Sequence, residues 1–287
     1  MIKKKAIICA ILKNEENNLY NFFKILKKIK NLFLDYYIIL VESDSNDSTY
    51  SISKKLIKNL NGKIIKTKTN KGWPRTKRIE YCRNIYMQTI RKKKFLKKFD
   101  YLIILDADNV NHILKIDNLE DSLNMIPSNW IGLFPNQKFI YYDLYALRIK
   151  KYFEFDCFEK MISNLNLLSP SQSYFKNIFK NFLIIRKFKK RFIKVESAFG
   201  GLGIYKLKYV LNKKYSSLNG KYCEHVFFNK SLLKKNNFLY IDKKLINSYG
   251  LNEHFFKGIL YSLSNYFSKR LINHLKFNYV DKKNQNS

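Results

Sequence analysis

The chain has 287 residues, of which 46% are hydrophobic and 16% aromatic, so it can bury a sizeable core and wholesale disorder is excluded. Lys and Arg number 55 against 22 Asp and Glu, a formal net charge of +33. The charge has two candidate causes: an anionic partner (nucleic acid, nucleotide sugar or anionic lipid), or the codon bias of an AT-rich genome, which the even spread of lysines along the chain favours. The four cysteines are isolated in sequence, which argues against a disulfide scaffold or a zinc site.

The beginning of the chain superficially resembles a signal peptide. Its apolar run, Ala6–Leu12, is short, however, and no small-residue cleavage site follows. No stretch approaches the ~18 apolar residues that a transmembrane helix needs. We therefore expect a cytoplasmic protein, peripheral at the inner face of the membrane where its basic surface meets anionic lipid.

The first half of the chain alternates short apolar runs with longer amphipathic segments. The apolar runs predict strands at Ala6–Leu12, Tyr36–Val41, Lys63–Thr67 and Tyr101–Leu105. The segments between them predict helices from Asn14, as N-cap, to about Lys30, after Asp47 or Ser48, and from Arg75 to Arg91. This alternation predicts an α/β fold, a Rossmann-type sheet flanked by helices.

After residue 108 the regular alternation of predicted strands and helices ends. Strands are predicted at Trp130–Phe134 and Ile140–Leu147, separated by a turn at Pro135-Asn136, which indicates a mixed second half of the sheet. The basic and aromatic segment 175–192 is either a surface helix, which we favour, or a membrane or acceptor contact. We divide the chain into one domain, 1–256, and a basic C-terminal helix and tail, 257–287.

Two carboxylates follow the fourth predicted strand directly. Asp106 and Asp108 are separated by one residue, so an extended backbone projects both to the same side. Carboxylates held that close repel unless a cation lies beside them, and Mg²⁺ and Mn²⁺ commonly take one or two carboxylates plus substrate phosphates. The pattern predicts a metal–diphosphate site at the edge of the sheet, although an isolated Asp-x-Asp is more often a pair of solvated loop acids.

Two later blocks add candidate residues. Gly200 and Gly201 let the backbone approach a ligand closely, but the surrounding sequence matches neither a P-loop nor a dinucleotide fingerprint. Glu224 and His225 lie side by side at a predicted helix start. A further histidine, His254, follows near the end of the predicted domain.

Taken in order, these motifs resemble a glycosyltransferase of the GT-A fold. Locally the sequence is similar to the fungal capsule-associated α-mannosyltransferase-like family, over about residues 6–255. The resemblance is carried by Arg78-Ile79 with Arg83-Asn84, the stretch Tyr142–Arg148, the stretch Ser197–Tyr205 and Cys223-Glu224-His225-Val226. It implies a GT-A-like mixed sheet, a nucleotide-sugar donor such as GDP-mannose, a divalent metal (Mn or Mg) and a glycan or glycolipid acceptor.

The resemblance also implies roles for residues around the donor. Glu42 would contact the nucleoside. Asp106 would touch the ribose or the metal, Asp108 would be the direct metal ligand, and His254 would complete the metal shell.

Further implied roles concern the diphosphate and the transferred sugar. Arg78 and Arg83 would flank the diphosphate, and Gly200 and Gly201 would line the boundary between donor and acceptor. Glu224 occupies the acidic motif that serves as catalytic base in inverting members. In a retaining enzyme, which the mannosyltransferase-like resemblance favours, Glu224 or Glu196 would instead steady the developing cation.

Two other function classes remain open at this point. A Mg-dependent nucleotidyltransferase also uses paired acids, but it normally has a Gly-rich phosphate loop near the N-terminus, and residues 10–20 contain no glycine. A non-enzymatic, basic nucleic-acid-binding protein would explain the charge but neither the Asp-x-Asp nor the Gly-Gly loop, and no recognition module is evident. We therefore expect no nucleic-acid partner.

Overall fold

The computed structural model describes residues 2–250, in which one sheet carries helices on both faces. Its strands are β1 (Ile2–Leu12), β2 (Phe33–Ser43), β3 (Gly62–Thr67), β4 (Tyr101–Leu105), β5 (Trp130–Gln137), β6 (Phe192–Val195), β7 (Leu202–Lys206) and β8 (Phe238–Ser248). The α-helices are α1 (Leu19–Lys30), α2 (Thr49–Ile57), α3 (Arg75–Lys92), α4 (Ile116–Met125), α5 (Cys157–Ser163), α6 (Pro170–Asn177), α7 (Leu207–Val210) and α8 (Glu224–Lys230). Short 3-10 segments occupy Lys94–Lys98, Asn164–Asn166 and Phe179–Lys187.

The eight strands lie in the order β3-β2-β1-β4-β7-β5-β8-β6. The first four in this order are mutually parallel, and β7 pairs antiparallel with both β4 and β5. Strand β8 runs parallel to β5, while β6 is antiparallel to β8. The predicted α/β fold with a mixed second half is confirmed.

The core forms two layers because side chains alternate across the pleat of each strand. In β1, Ile7 and Cys9 point into a layer shared with α3 and α8, whereas Ile8 and Ala10 point into a layer shared with α1 and α4. All four are fully buried. A strand buried on both faces reads as a continuous apolar run, which is why this one was recognisable in the sequence.

The start of the first helix was predicted wrongly. Helix α1 begins at Leu19, and Asn14 lies before it with a positive φ of 54°. The Asn14 side chain accepts the backbone N–H of Asn46 at 2.9 Å, and the Glu16 carboxylate accepts that of Ser48 at 2.8 Å. These side chains therefore fasten the loop after β1 to the loop after β2 instead of capping a helix.

The strand predicted at Ile140–Leu147 is also wrong, and so is the turn at Pro135-Asn136. Strand β5 continues through Pro135 to Gln137, and the chain from residue 140 to 147 is irregular. Within it the Asp143 carboxylate accepts the N–H of Ala146 at 3.3 Å. A local bond of this kind favours a turn over a strand ladder.

The basic segment 175–192 does not form the single surface helix that was favoured. It comprises the end of α6, the 3-10 stretch Phe179–Lys187 and the first residue of β6. Within residues 2–250, no helix is both long and apolar enough to cross a bilayer. The domain division at residue 256 falls outside the described residues and stays a prediction.

Candidate functional site

The candidate site forms at one edge of the sheet because of strand direction. Strands β1, β2 and β4 are parallel and end at this edge, and β7 is antiparallel to β4 and therefore begins there. The loops after β4 and before β7 consequently meet, and the Asp106 N–H donates to the carbonyl of Gly201 at 2.9 Å. In open α/β sheets this edge is where ligands bind.

The two acids of the Asp-x-Asp occupy different environments. Asp106 is partly buried and its Oδ1 lies 3.4 Å from Arg83 Nη2, while the side chain of Asp108 is exposed. Although Asp108 is exposed, the protein around it hinders hydration of its charge, and together with the charges of Asp106 and Glu15 this raises the pKa of Asp108 to about 7. Burial, Asp106 and Asp47 likewise raise the pKa of Glu15. Acidic side chains therefore cluster at this edge of the sheet.

Arg83 lies beneath this cluster, on α3. Its Nε donates to Glu224 Oε1 at 2.9 Å, and its Nη1 donates to the hydroxyl of Tyr86 at 3.4 Å. Arg83 and Glu224 are both buried, so the ion pair is shielded from water. Counting Asp106, two carboxylates and one phenol satisfy the guanidinium.

His225, next to Glu224, is buried without a hydrogen bond to either ring nitrogen among the described residues. Its ring stacks on Phe199 with 3.8 Å between centroids and meets Tyr215 edge-on at 5.6 Å. Burial, and then the charge of Arg83, hold the pKa of His225 well below its usual range. The imidazole is therefore neutral and serves as an aromatic wall beside the Arg83–Glu224 pair.

The motif stretches of the sequence meet around this pair. Asp143 Oδ2 accepts the N–H of Gly200 at 2.8 Å, and the backbone N–H of Arg148 donates to the carbonyl of Ser197 at 2.8 Å. Burial raises the pKa of Asp143 to about 6, against the opposing effect of the Gly200 N–H. Loop 142–148 thus supports the Gly-Gly loop directly.

The Gly-Gly loop is itself tightly constrained. Gly200 and Gly201 have φ values of +65° and +86°, and a Cβ on Gly201 would lie 2.2 Å from Val110 Cγ1. Asn247 Nδ2 donates to the carbonyl of Gly200 at 2.7 Å, and Asn111 Nδ2 donates to that of Gly201 at 3.0 Å. Glycine is required at both positions by conformation and space.

Polar groups at the end of β2 form the opposite side of the edge. Glu42 is buried; its Oε1 accepts the Ser45 N–H at 2.9 Å, and its Oε2 has no partner in the described part of the chain. Asp44 accepts the hydroxyl of Thr69 at 2.6 Å, and this bond, together with the charges of Lys13 and Arg78, lowers the pKa of Asp44. The charge of Arg78 therefore acts on the end of β2.

The structure brings most of the predicted residues to one edge, as described above, with two qualifications. Arg83 lies beneath the edge among carboxylates, so its predicted contact with a diphosphate stays a prediction. His254 lies outside the described residues.

Residues 2–250 contain no group of three or more His, Cys, Asp and Glu side chains arranged to hold a metal ion. Asp106 and Asp108 offer carboxylate oxygens only, which suits a hard divalent ion that completes its shell with water and substrate phosphate. The raised pKa of Asp108 fits such an ion, because a cation would relieve the crowding of negative charge. The residues present therefore fit Mg²⁺ or Mn²⁺ better than zinc.

Sequence reasoning missed Asn247 and Asn111, and gave Asp143 and Glu15 no role in the site. Asn247 lies in β8, 47 residues from the glycine it supports. The signal for Asp143 was present, because it belongs to one of the motifs that carried the resemblance, but only its contact with Gly200 shows what it does.

No protein-family model and no curated protein matches the sequence. Solved structures do have similar folds. The mannosyltransferase PcManGT from Pyrobaculum calidifontis, in complex with GDP-Man and Mn²⁺, matches with a TM-score of 0.55 at 10% identity, over 94% of this chain and 65% of that chain. Residues 1–349 of TarS from S. aureus match with a TM-score of 0.44 at 15% identity, over 83% of this chain and 60% of that chain.

The fold is that of the GT-A glycosyltransferases. This chain spans less than two thirds of the length of either neighbour. At such low identity the similarity establishes the fold alone.

Proposed function

We propose that the protein is a metal-dependent glycosyltransferase that moves a sugar from a nucleotide-sugar donor to a glycan or glycolipid acceptor. One observation carries the proposal: Asp106 and Asp108 end a central strand of a GT-A-like sheet beside the buried Arg83–Glu224 pair. If Asp106 and Asp108 were only solvated loop acids, there would be no reason for the buried guanidinium of Arg83 to contact Asp106.

The carboxylates of Asp106 and Asp108 are the groups that would hold the metal, with His254 as a further ligand. When bound, a divalent ion stabilises the negative charge of the leaving diphosphate. Arg83 keeps Asp106 in place through the 3.4 Å contact between Nη2 and Oδ1. In this assignment Arg83 positions the ligand carboxylate and does not touch the donor.

The donor nucleoside lies over the end of β2. Glu42 Oε2 has no partner among the described residues and is available to a hydroxyl or N–H donor once a small shift exposes it. The charged Asp44 and the nearby Arg78 flank this region, where Arg78 can balance the diphosphate. A guanidinium is well suited to phosphate oxygens because its N–H groups form a planar fork.

For the reacting sugar the proposal assigns a role to Glu224, which lies beneath the acidic edge. In an inverting reaction its carboxylate would take the proton of the acceptor hydroxyl, whereas in a retaining reaction it would steady the developing cation. The 2.9 Å bond from Arg83 Nε holds the Glu224 carboxylate in a fixed position, and on this ground we favour the second role. A retaining mannosyl transfer from GDP-mannose is our preferred assignment.

The acceptor side is formed by Gly200, Gly201 and the loop that Asp143 supports. A biological setting in polysaccharide biosynthesis, with the protein peripheral on the cytoplasmic face of the membrane, accords with the net charge of +33.

The proposal is tested by donor turnover. Purified protein is incubated with a panel of nucleotide sugars and Mn²⁺ or Mg²⁺, and release of the nucleoside diphosphate is measured. We expect slow, metal-dependent hydrolysis of one donor, reduced by about 10²-fold or more in Asp108→Ala because the leaving group loses its charge stabilisation. Asp117→Ala, which removes an acid from α4, is the matched control. Equal rates for both variants, or no turnover of any donor, would refute the proposal.

A further inference from the structure

A cavity of about 270 Å³ opens beside the Gly-Gly loop, between the end of β5, strand β8 and the 3-10 segment Phe179–Lys187. We call it the basic pocket. Its polar lining comprises Asn136, Gln137, Lys138, Tyr141, Arg186 and Lys243. Gln137 connects it to the candidate site, because its Nε2 lies 2.7 Å from where a Cβ of Gly200 would be and donates to Asn247 Oδ1 at 3.2 Å.

The pocket has three cationic side chains and no acidic one in its lining. Arg186 Nη2 donates to the carbonyl of Phe139 at 2.7 Å, and Lys243 Nζ donates to that of Phe188 at 2.6 Å. These bonds hold both cations in place but leave their charge uncompensated, and the ammonium of Lys138 lies over the Phe139 ring. Within residues 2–250 none of the three forms an ion pair with a carboxylate.

A neighbouring cation, by contrast, has its charge balanced by carboxylates. Arg191, on the neighbouring β6 side, pairs with Asp242 and Asp121 at 2.7 and 2.6 Å. In the basic pocket Lys138 and Arg186 are exposed and Lys243 is partly exposed, so an anion from solvent can reach all three charges. The basic pocket is therefore arranged for an anion.

An aromatic path leads from the pocket to the acidic edge. Phe139 stacks on Tyr249 at 5.6 Å, and Tyr249 contacts His112 at 5.5 Å. His112 Nδ1 lies 3.0 Å from the carbonyl oxygen of Asn109, the residue after Asp108. Phe139 and Tyr249 are 42% and 40% exposed, and the Lys138 ammonium lies 5.6 Å from the centroid of each ring. The C–H face of a sugar can therefore pack against the exposed part of these rings, beside that cation.

We propose that the basic pocket binds a phosphate group of the acceptor substrate, whose sugar then extends along the aromatic path toward the acidic edge. That this phosphate belongs to a sugar acceptor rests on the proposed function, whereas the binding of phosphate does not. Two ammonium groups and one guanidinium match the charge and the several oxygens of a phosphate better than a single carboxylate. The volume is below the ~300–1,000 Å³ of typical small-molecule pockets, so it suits a phosphate group and not a whole nucleotide.

The test measures phosphate binding without donor or metal. In EDTA, glycerol 3-phosphate is titrated with protein and its ³¹P line width is followed; in parallel, the protein is sedimented with phosphatidylcholine vesicles that contain phosphatidic acid. The pocket variant is Lys138→Gln/Lys243→Gln, and the control is Lys234→Gln/Lys244→Gln, which removes the same charge from exposed positions. Lys138→Gln alone is the second variant, because its ammonium makes no hydrogen bond among the described residues.

We expect the pocket variant to bind the phosphate probe about tenfold more weakly and the control to match wild type. Loss with glycerol 3-phosphate supports a phosphate within a soluble glycan, and loss only with vesicles supports a lipid-borne phosphate. Equal weakening in both double variants, or no binding of either probe to wild type, would overturn the proposal. Since no donor is present, wild-type phosphate binding can be measured even if the protein transfers no sugar, so the two proposals fail separately.

Discussion

Arg83 Nε lies 2.9 Å from Glu224 Oε1, and the two side chains are 4% and 6% exposed although 141 residues separate them in sequence. This pair joins α3 to the start of α8 directly beneath the acidic edge. Because each charge is buried, each needs the other, and the stability of the site depends on keeping both.

Removing one partner alone should therefore be costly. We expect Arg83→Met to lower the free energy of unfolding by about 3–5 kcal/mol, because Glu224 is left buried without a counter-charge. The double variant Arg83→Met/Glu224→Gln should recover much of that loss. Urea unfolding measures both.

Arg78→Met, on the same helix but partly exposed, is the matched control for Arg83→Met and should change stability by less than about 0.5 kcal/mol. If Arg83→Met were as mild as Arg78→Met, the buried ion pair would not have the role assigned to it.

The acidic edge should make stability depend on pH. Hindered hydration of its charge, and then the charges of Asp106 and Glu15, raise the pKa of Asp108 from its ordinary value of 3.8 to about 7. Between these two pH values the folded state therefore holds a proton that the unfolded chain releases. The contribution of Asp108 to the free energy of unfolding therefore falls as pH rises from about 4 to about 7. We expect Asp108→Asn to raise the thermal midpoint relative to wild type at pH 8, and to raise it less at pH 5.

The comparison with Asp108→Asn is needed because Asp143 and Glu15 also have raised pKa values and contribute in the same direction. The contribution of Asp143 is common to both proteins, so the difference reports Asp108 together with its repulsion of Glu15. A stabilisation by Asp108→Asn that is the same at pH 5 and pH 8 would show that Asp108 is not electrostatically crowded.

A side chain should not be tolerated in the Gly-Gly loop. Gly201→Ala places a Cβ 2.2 Å from Val110 Cγ1 at a φ of +86°, and we expect a loss of about 1–3 kcal/mol. Gly201→Ala/Val110→Ala should recover only part of this, since the backbone strain remains. Gly72→Ala, where the nearest atom is Asn70 Oδ1 at 3.3 Å, serves as the control in the same denaturation assay. A neutral Gly201→Ala would mean that the loop is loose.

The amide of Asn247 should be a principal support of that loop. It donates to the carbonyl of Gly200 at 2.7 Å and to Asn111 Oδ1 at 2.8 Å, so Asn247→Ala leaves buried acceptors without partners. We expect a cost of about 1–3 kcal/mol and faster hydrogen exchange in the Gly200 loop. Asn236→Ala, at an exposed position, should be neutral. Unchanged exchange in the Gly200 loop of Asn247→Ala would contradict the assignment.

A structural feature could be predicted from the sequence when the contacts that determine it join residues close together in the chain. Tyr101–Leu105 is a strand with the predicted bounds, because a buried strand can be recognised from its own run of apolar residues. Asn14 was misassigned because its partner, the N–H of Asn46, lies 32 residues away. From the sequence alone, an Asn that caps a helix could not be distinguished from an Asn whose side chain joins two loops.

The candidate site divides in the same way. The Asp-x-Asp and the two glycines were visible as short patterns, whereas the function of Asp143 arises from a hydrogen bond across 57 residues. The five-residue spacing of Arg78 and Arg83 indicated that the two do not share one helix face, but it did not indicate that Arg83 would be buried against Glu224. Tertiary contacts decided these roles, and single-sequence patterns do not encode them.

The most direct measurement of the central claim is equilibrium binding of GDP and UDP, with Mn²⁺ and with EDTA, to wild type, Asp108→Asn and the control Asp117→Asn. The account predicts that one nucleotide binds wild type and Asp117→Asn only with Mn²⁺, and that Asp108→Asn binds it at least about tenfold more weakly. Binding that is equally tight in EDTA, or equally tight in Asp108→Asn, would show that the acids after β4 do not form a metal–nucleotide site.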